Sequence, residues 1–272
     1  MKLFAGVRLF ISALILTGLG FGLQACSGGG GTTTPVNANA TGYYTGSADV
    51  KAPGSPSTNY NIADLQIMIS GNRIMMMSDA KAVLYDGTFT VSGNTLTSTV
   101  AIYYNGNKQS GAAGTATLNA TVTQGSQITG SFSGTELGNG TFVSTLNNLS
   151  NTNSTFTVLG NNSWLAYLNE SNPANTPGSD FEFRSFLNGT IGDLTVTNES
   201  DFAGCTPTGT FTPITNESLM TVSITFTICT NPTVNGTYTG FLQNKSTAIS
   251  ADTFALSVSN GTFAFADNFS RN

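Results

Sequence analysis

The sequence predicts an all-β protein built as two small antiparallel β domains of the eight-stranded barrel or sandwich type. Two observations carry this. Apolar residues recur at every second position: Ala116, Leu118, Ala120 and Val122 share one face of Thr115–Thr123, and Met220, Val222, Ile224, Phe226 and Ile228 share one face of Leu219–Cys229. That is the period of a strand, not of a helix. The runs are also bounded by Gly-containing turns at spacings of about ten residues, the pattern of sandwiches and small barrels.

In chain order, the first half predicts strands at Tyr43–Val50, Asp64–Ser70, Arg73–Asp79, Val83–Ser92, Thr95–Tyr104, Thr115–Thr123, Gln127–Gly134 and Thr141–Asn147. Ser70-Gly71-Asn72, Ser92-Gly93-Asn94 and Gln124-Gly125-Ser126 supply the positive-φ positions that tight hairpins require. Leu146–Ser154 reads as the connection, which places domain one at 38–148, a linker at 149–153 and domain two at 154–272. The second half predicts strands at Phe156–Gly160, Trp164–Leu168, Asp180–Leu187, Gly192–Thr197, Thr208–Thr212, Met220–Cys229, Thr237–Asn244, Thr253–Ser259 and Thr262–Asp267. Gly42-Tyr43-Tyr44-Thr45-Gly46 is echoed by Gly236-Thr237-Tyr238-Thr239-Gly240. A module used twice and convergence of composition both account for that echo.

Residues 1–25 have the parts of a secretory signal peptide: cations at Lys2 and Arg8, an apolar run from Leu9 to Leu23, and small Ala25 before the cut. The run is shorter than the roughly 20 residues a spanning helix needs. Residues 26–37 read as a flexible, uncharged Gly/Thr-rich tether. Without residues 1–25 the chain keeps seven basic residues against fourteen acidic ones, a net charge of −7. Such a chain has no clustered cations for nucleic acid or an anionic lipid surface, so nucleic acid is not an expected partner.

Leu23-Gln24-Ala25-Cys26 resembles the lipobox of bacterial lipoproteins. The resemblance implies that Cys26 carries diacylglycerol, that its new amine is acylated, commonly with palmitate, and that the chain is membrane-anchored. More than one acyl chain makes such anchoring stable. Ser27 in the following position implies outer-membrane sorting, with the periplasmic and cell-surface faces both open. Ordinary cleavage after Ala25, leaving a free thiol, is the alternative. With Cys26 assigned to lipid, Cys205 and Cys229 remain in an oxidising compartment. Their disulfide would close a loop of about 25 residues and contribute about 3.5 kcal/mol. Metal binding is the weaker reading, since two cysteines in a chain with no histidine make a poor zinc site.

Two family resemblances follow. Gly204-Cys205-Thr206-Pro207-Thr208-Gly209-Thr210, Cys229, and Asn235-Gly236-Thr237-Tyr238-Thr239-Gly240 are similar to the C-terminal domain of uncharacterised proteobacterial lipoproteins with paired small β domains. Gln127–Phe142, with Gly130-Ser131-Phe132-Ser133-Gly134 and Glu136-Leu137-Gly138, resembles the closing strands of barrels in surface lipoproteins of the transferrin-binding protein B type.

The catalytic inventory is thin. The absence of histidine excludes Ser-His-Asp and Cys-His nucleophile systems and His-ligated metals. A carboxylate pair of the glycosidase kind would draw on Glu182, Asp193, Glu199 and Asp201, each more simply a solvated strand or turn residue. Met68, Met75, Met76 and Met77 could suggest soft copper ligation, but alternating strand methionines are the usual adaptable core filler. Trp164 and Tyr167, beside the Pro-rich run Asn172–Gly178, are candidates for stacking on a sugar or peptide, against the plainer reading that Trp164 closes a core. The expectation is a non-enzymatic, cofactor-free lipoprotein that binds a protein or glycan partner or plays a structural part. A lipocalin-like carrier of a small apolar ligand is the alternative, with a glycoside hydrolase third.

Overall fold

A computed structural model describes residues 36–155, 162–166, 181–185, 189–192, 204–245 and 253–271. The predicted signal peptide, Cys26 and the predicted strand Phe156–Gly160 lie outside them. The chain is all β. Its strands are β1 (Gly42–Ala52), β2 (Ser55–Ser70), β3 (Arg73–Ser78), β4 (Val83–Ser92), β5 (Thr95–Tyr104), β6 (Asn107–Lys108), β7 (Thr115–Thr123), β8 (Gln127–Ser133) and β9 (Gly140–Leu146). The second set is β10 (Asn162–Ala166), β11 (Phe181–Ser185), β12 (Thr190–Gly192), β13 (Thr206–Pro213), β14 (Leu219–Thr227), β15 (Gly236–Asn244), β16 (Thr253–Ser259) and β17 (Ala264–Arg271).

Both sets are up-and-down meanders. In the first, neighbours in sequence pair in order, β9 returns to β1, β4 pairs with β5, and β6 hangs on the end of β5. The circuit therefore returns on itself. The second is a closed barrel from β10 to β17, sealed by Trp164 and Leu165 against Arg271 and Ser270.

An eight-stranded barrel is just wide enough for its own side chains to fill. In the first, the inward faces contribute Tyr44, Ile67, Ile74, Met76, Tyr85, Leu118, Phe132 and Phe142. Tyr85 stacks on Phe132 at 4.6 Å, and Phe132 meets Phe142 at 5.4 Å. In the second, Phe254 stacks on Phe269 at 4.9 Å and Phe226 meets Tyr238 edge-on at 5.2 Å. Each such buried side chain stabilises the fold by about 1.5–3 kcal/mol.

Several boundaries differ from the sequence reading for physical reasons. β2 begins at Ser55, not Asp64, because the polar stretch Ser55–Asn61 pairs with the end of β1 beyond a register shift. Lys51 Nζ to Asn59 Oδ1 (2.6 Å) and Asn61 Nδ2 to Asp49 Oδ1 (2.8 Å) lace that extension. Ile228 does not join the inward row of β14. The strand stops at Thr227, Ile228 takes φ +59 and stands 78 % exposed, and Cys229 turns inward to bond Cys205. The predicted linker Leu146–Ser154 is tied at both ends. Tyr43 N donates to Ser150 Oγ and Asn147 N to Tyr43 O, while Ser154 N donates to Glu217 O.

Residues 35–272 form one compact unit, and the two barrels meet along a shared apolar seam. Outward-facing Tyr43, Met68, Met75, Met77, Leu84 and Tyr103 from β1–β5 pack against Leu219, Phe241, Ala255 and Ala264 of the second barrel. This is why Arg73-Ile74-Met75-Met76-Met77-Ser78 shows no alternation: both faces of β3 are buried. The outward positions of β7 are Thr115, Thr117, Asn119, Thr121 and Thr123, all exposed, so that strand alternates strictly.

The echoed pentapeptides build one local device. Gly42 and Gly236 adopt φ +145 and +149. Two residues on, Tyr44 and Tyr238 each donate a hydroxyl hydrogen bond to the carbonyl four residues upstream, Ala40 O at 3.0 Å and Val234 O at 2.8 Å. Two further on, a Cβ at Gly46 or Gly240 would sit 1.9 Å from Val143 O or 1.8 Å from Ser257 O. Tyr44→Phe and Tyr238→Phe keep the ring but strand a buried carbonyl, so each should lower unfolding free energy by about 1–3 kcal/mol. Urea unfolding of the two variants measures this, and unchanged midpoints would refute the role given to the hydroxyls.

Candidate functional site

Of the residues singled out by sequence, Cys205 and Cys229 are joined, with Sγ atoms 1.95 Å apart. The bridge pins the start of β13 to the end of β14, where Thr206 pairs with Thr227. Trp164 pairs through its backbone with Phe183 of β11 and Arg271 of β17. Glu182 lies on β11, whereas Tyr167, Asp193, Glu199 and Asp201 lie outside the described residues. The methionines divide between two places. Met76 points into the first barrel, and Met68, Met75 and Met77 fill the seam, all at 1 % exposure or less. Among the described residues no group of three His, Cys, Asp or Glu side chains could hold a metal ion.

The polar chemistry that the sequence reading missed lies at the margins of the seam. Arg73, the outward residue that opens β3, forks onto Asp86 of β4, with Nε to Oδ1 at 2.8 Å and Nη2 to Oδ2 at 2.7 Å. Its guanidinium then reaches the other barrel, to Thr239 Oγ1 at 3.1 Å and Ser259 Oγ at 3.2 Å. Ser259 Oγ donates to Asp86 Oδ2 and shares a hydrogen bond with the Tyr103 hydroxyl. Burial pushes that hydroxyl above the ordinary tyrosine value.

A second cluster brings Lys245, at the end of β15, to Asn268 of β17, with Nζ to Oδ1 at 2.9 Å. Asn268 Nδ2 donates in turn to Asp79 Oδ2 of the first barrel at 2.8 Å. Burial holds the Lys245 ammonium below its ordinary range, and the charges of Asp79 and Asp64 act against that shift. Elsewhere, the backbone itself crosses between barrels: Lys108 N donates to Thr262 O at 3.0 Å and Ala264 N to Gly106 O at 2.9 Å.

At the end of the first barrel opposite the Gly71, Gly93 and Gly125 turns, Tyr60 and Tyr104 share a hydrogen bond and Lys81 Nζ sits 4.7 Å from the Tyr60 ring centre. The short 3-10 turn Glu136–Gly138 closes the same end: Leu137 is buried, its carbonyl accepts from the Tyr85 hydroxyl at 2.8 Å, and Glu136 Oε2 accepts from Gly54 N at 3.0 Å.

The available signal was charge scarcity. With 8 % of residues charged, an Arg and an Asp inside predicted strands are exceptions that need a reason. No protein-family model matches this chain, and no curated protein matches it.

Two predictions test the seam. Arg73→Ala leaves Asp86 uncompensated and should cost about 2 kcal/mol. The double variant Arg73→Met/Asp86→Leu should cost less in the same urea titration, because no lone charge is left. At the turn before β14, burial raises the Glu217 carboxyl above 4.5, a hydrogen bond from Ser70 acting against it. Stability from a raised carboxyl is fully present below its unfolded value and is lost as pH rises through the folded one. Glu217→Gln should therefore be the more stable protein at neutral pH, with the gap closing toward pH 4.5. A gap that does not change with pH would refute the assignment.

Proposed function

We propose that this protein is an outer-membrane lipoprotein, anchored through acylated Cys26, whose two-barrel body is a non-enzymatic binding or structural module of the cell envelope. The observation behind the anchor is Leu23-Gln24-Ala25-Cys26 followed by an uncharged Gly/Thr tether. Ten residues from Cys26 to Pro35 reach about 33 Å when extended, enough to hold a folded body clear of the lipid. The described chain then meets the first barrel at the ends of the β4–β5 and β7–β8 hairpins, with Ala38 N on Gly93 O and Asn39 N on Gln124 Oε1.

What favours a binding or structural module over a carrier is that the described interior of each barrel is occupied by the protein's own aromatics. The free walls suit an uncharged partner. The outward positions of β7, β8 and β9 are Thr or Ser apart from Asn119, Gln127 and Val143.

Cys26→Ala should abolish incorporation of labelled palmitate and move the protein from the membrane to the soluble fraction. Retention of label and of membrane association would overturn the anchor. Protease treatment of intact cells then separates the two faces: rapid loss against an intact periplasmic control means surface display, and protection means the periplasmic face. Saturable uptake of a fluorescent lipid by the purified body would overturn the module reading in favour of a carrier.

A further inference from the structure

The Lys245, Asn268 and Asp79 cluster holds one amide from both sides. The amine lies 2.9 Å from the side-chain carbonyl oxygen of Asn268, and a carboxylate lies 2.8 Å from the amide nitrogen. Lys245 follows β15 and Asn268 sits on β17, so the two flank β16 on the face turned toward the first barrel. The β16 residue in register with Asn268 is Ala255, whose side chain is a methyl group and leaves the way across open. All three groups are half-buried. An amine on one side of an amide and a carboxylate on the other are the nucleophile, electrophile and proton carrier that transamidation requires.

We infer that Lys245 and Asn268 become joined by an intramolecular isopeptide bond, with Asp79 carrying the proton. The Lys245 ammonium releases one proton to water and becomes a neutral amine, while the Asp79 carboxylate, which holds the amide nitrogen, takes one proton up from water. The amine lone pair attacks Cγ of Asn268, the Nζ–Cγ bond forms, and negative charge gathers on Oδ1. Asp79 then protonates Nδ2 as the Cγ–Nδ2 bond breaks and the carbonyl reforms. The surplus proton on Nζ leaves with the departing ammonia, so the net change is one new amide and one ammonium ion released. No oxidant, metal or cofactor enters the balance. Partial desolvation of Lys245 enlarges its neutral fraction, the form that attacks.

Asp79 belongs to the first barrel and the other two groups to the second, so the reaction waits on assembly of the seam. The bond would then lock the second barrel only in molecules that had docked correctly. This inference is independent of the anchor and of any partner.

The sequence provides a clean readout. Between Arg184 and Arg271 the only tryptic site is Lys245. After reduction, trypsin divides a protein with a free Lys245 into peptides 185–245 and 246–271. The isopeptide bond blocks that cut, and the full-length protein should yield a single 185–271 peptide lighter than its coded mass by one ammonia. Two separate peptides of coded mass, or one undivided peptide of unaltered mass, would overturn the inference.

Lys245→Arg should restore cleavage and leave Asn268 at its coded mass; persistence of the mass deficit in that variant also overturns it. Asp79→Ala should restore cleavage at Lys245 while the near-ultraviolet circular dichroism of the folded body is kept. A cross-link that survives in Asp79→Ala removes Asp79 from the mechanism.

Discussion

Because closure pairs every described strand but the short β6 on both sides, little backbone is left over with which the two barrels could join, and their association rests on outward side chains. Among the described residues, the Gly106–Lys108 turn against Thr262–Ala264 adds main-chain bonds across the divide. Everything else falls to β3 and the adjoining ends of β1, β2, β4 and β5, which are buried on both faces. Methionine suits the outward positions, since an unbranched thioether adapts to whatever surface it meets. The facing wall supplies small residues, Ala255, Ser257, Ala264 and Ala266, against which Tyr43, Tyr103 and the methionines can settle.

The same constraint explains where the few charges went. Apolar contact between two smooth walls does not by itself fix how one sits on the other, whereas directional bonds do. Arg73 with Asp86, and Lys245 with Asn268 and Asp79, stand at separate margins of the seam and each reaches across it. The partly buried Arg73–Asp86 pair adds little net stability, but it sets position through its bonds to Thr239 and Ser259 of the other barrel. The outward positions of β7 to β9 carry no charge and are mostly threonine and serine. Such a surface has little electrostatic protection against self-association, and closed barrels answer that by leaving no edge to pair.

The repeated tyrosine device shows local sequence fixing local geometry in both barrels. A positive-φ glycine starts the strand, a tyrosine hydroxyl ties back to the preceding loop, and a second glycine lets the neighbouring strand approach. Yet β1 opens its circuit while β15 is the sixth strand of the other, and the close neighbours are β9 and β16 respectively. It is a shared way of starting a strand, not a shared place in a duplicated barrel.

From the sequence alone came the all-β class, the hairpins at Gly71, Gly93 and Gly125, the strand bounds of the first barrel apart from the start of β2, and the pairing of Cys205 with Cys229. These follow from alternation, turn chemistry and redox arithmetic, which act over a few residues or by elimination. Only the tertiary structure decided that the sheets close, that the methionine run is a seam, and that Ile228 turns outward beside the disulfide. It also brought Asp79 to Asn268, residues far apart in sequence and on different barrels. Alternation says that a strand has a buried face, but two faces buried for two reasons look the same as one long apolar run. Which partner covers the second face depends on how whole walls fit, and no short segment carries that information.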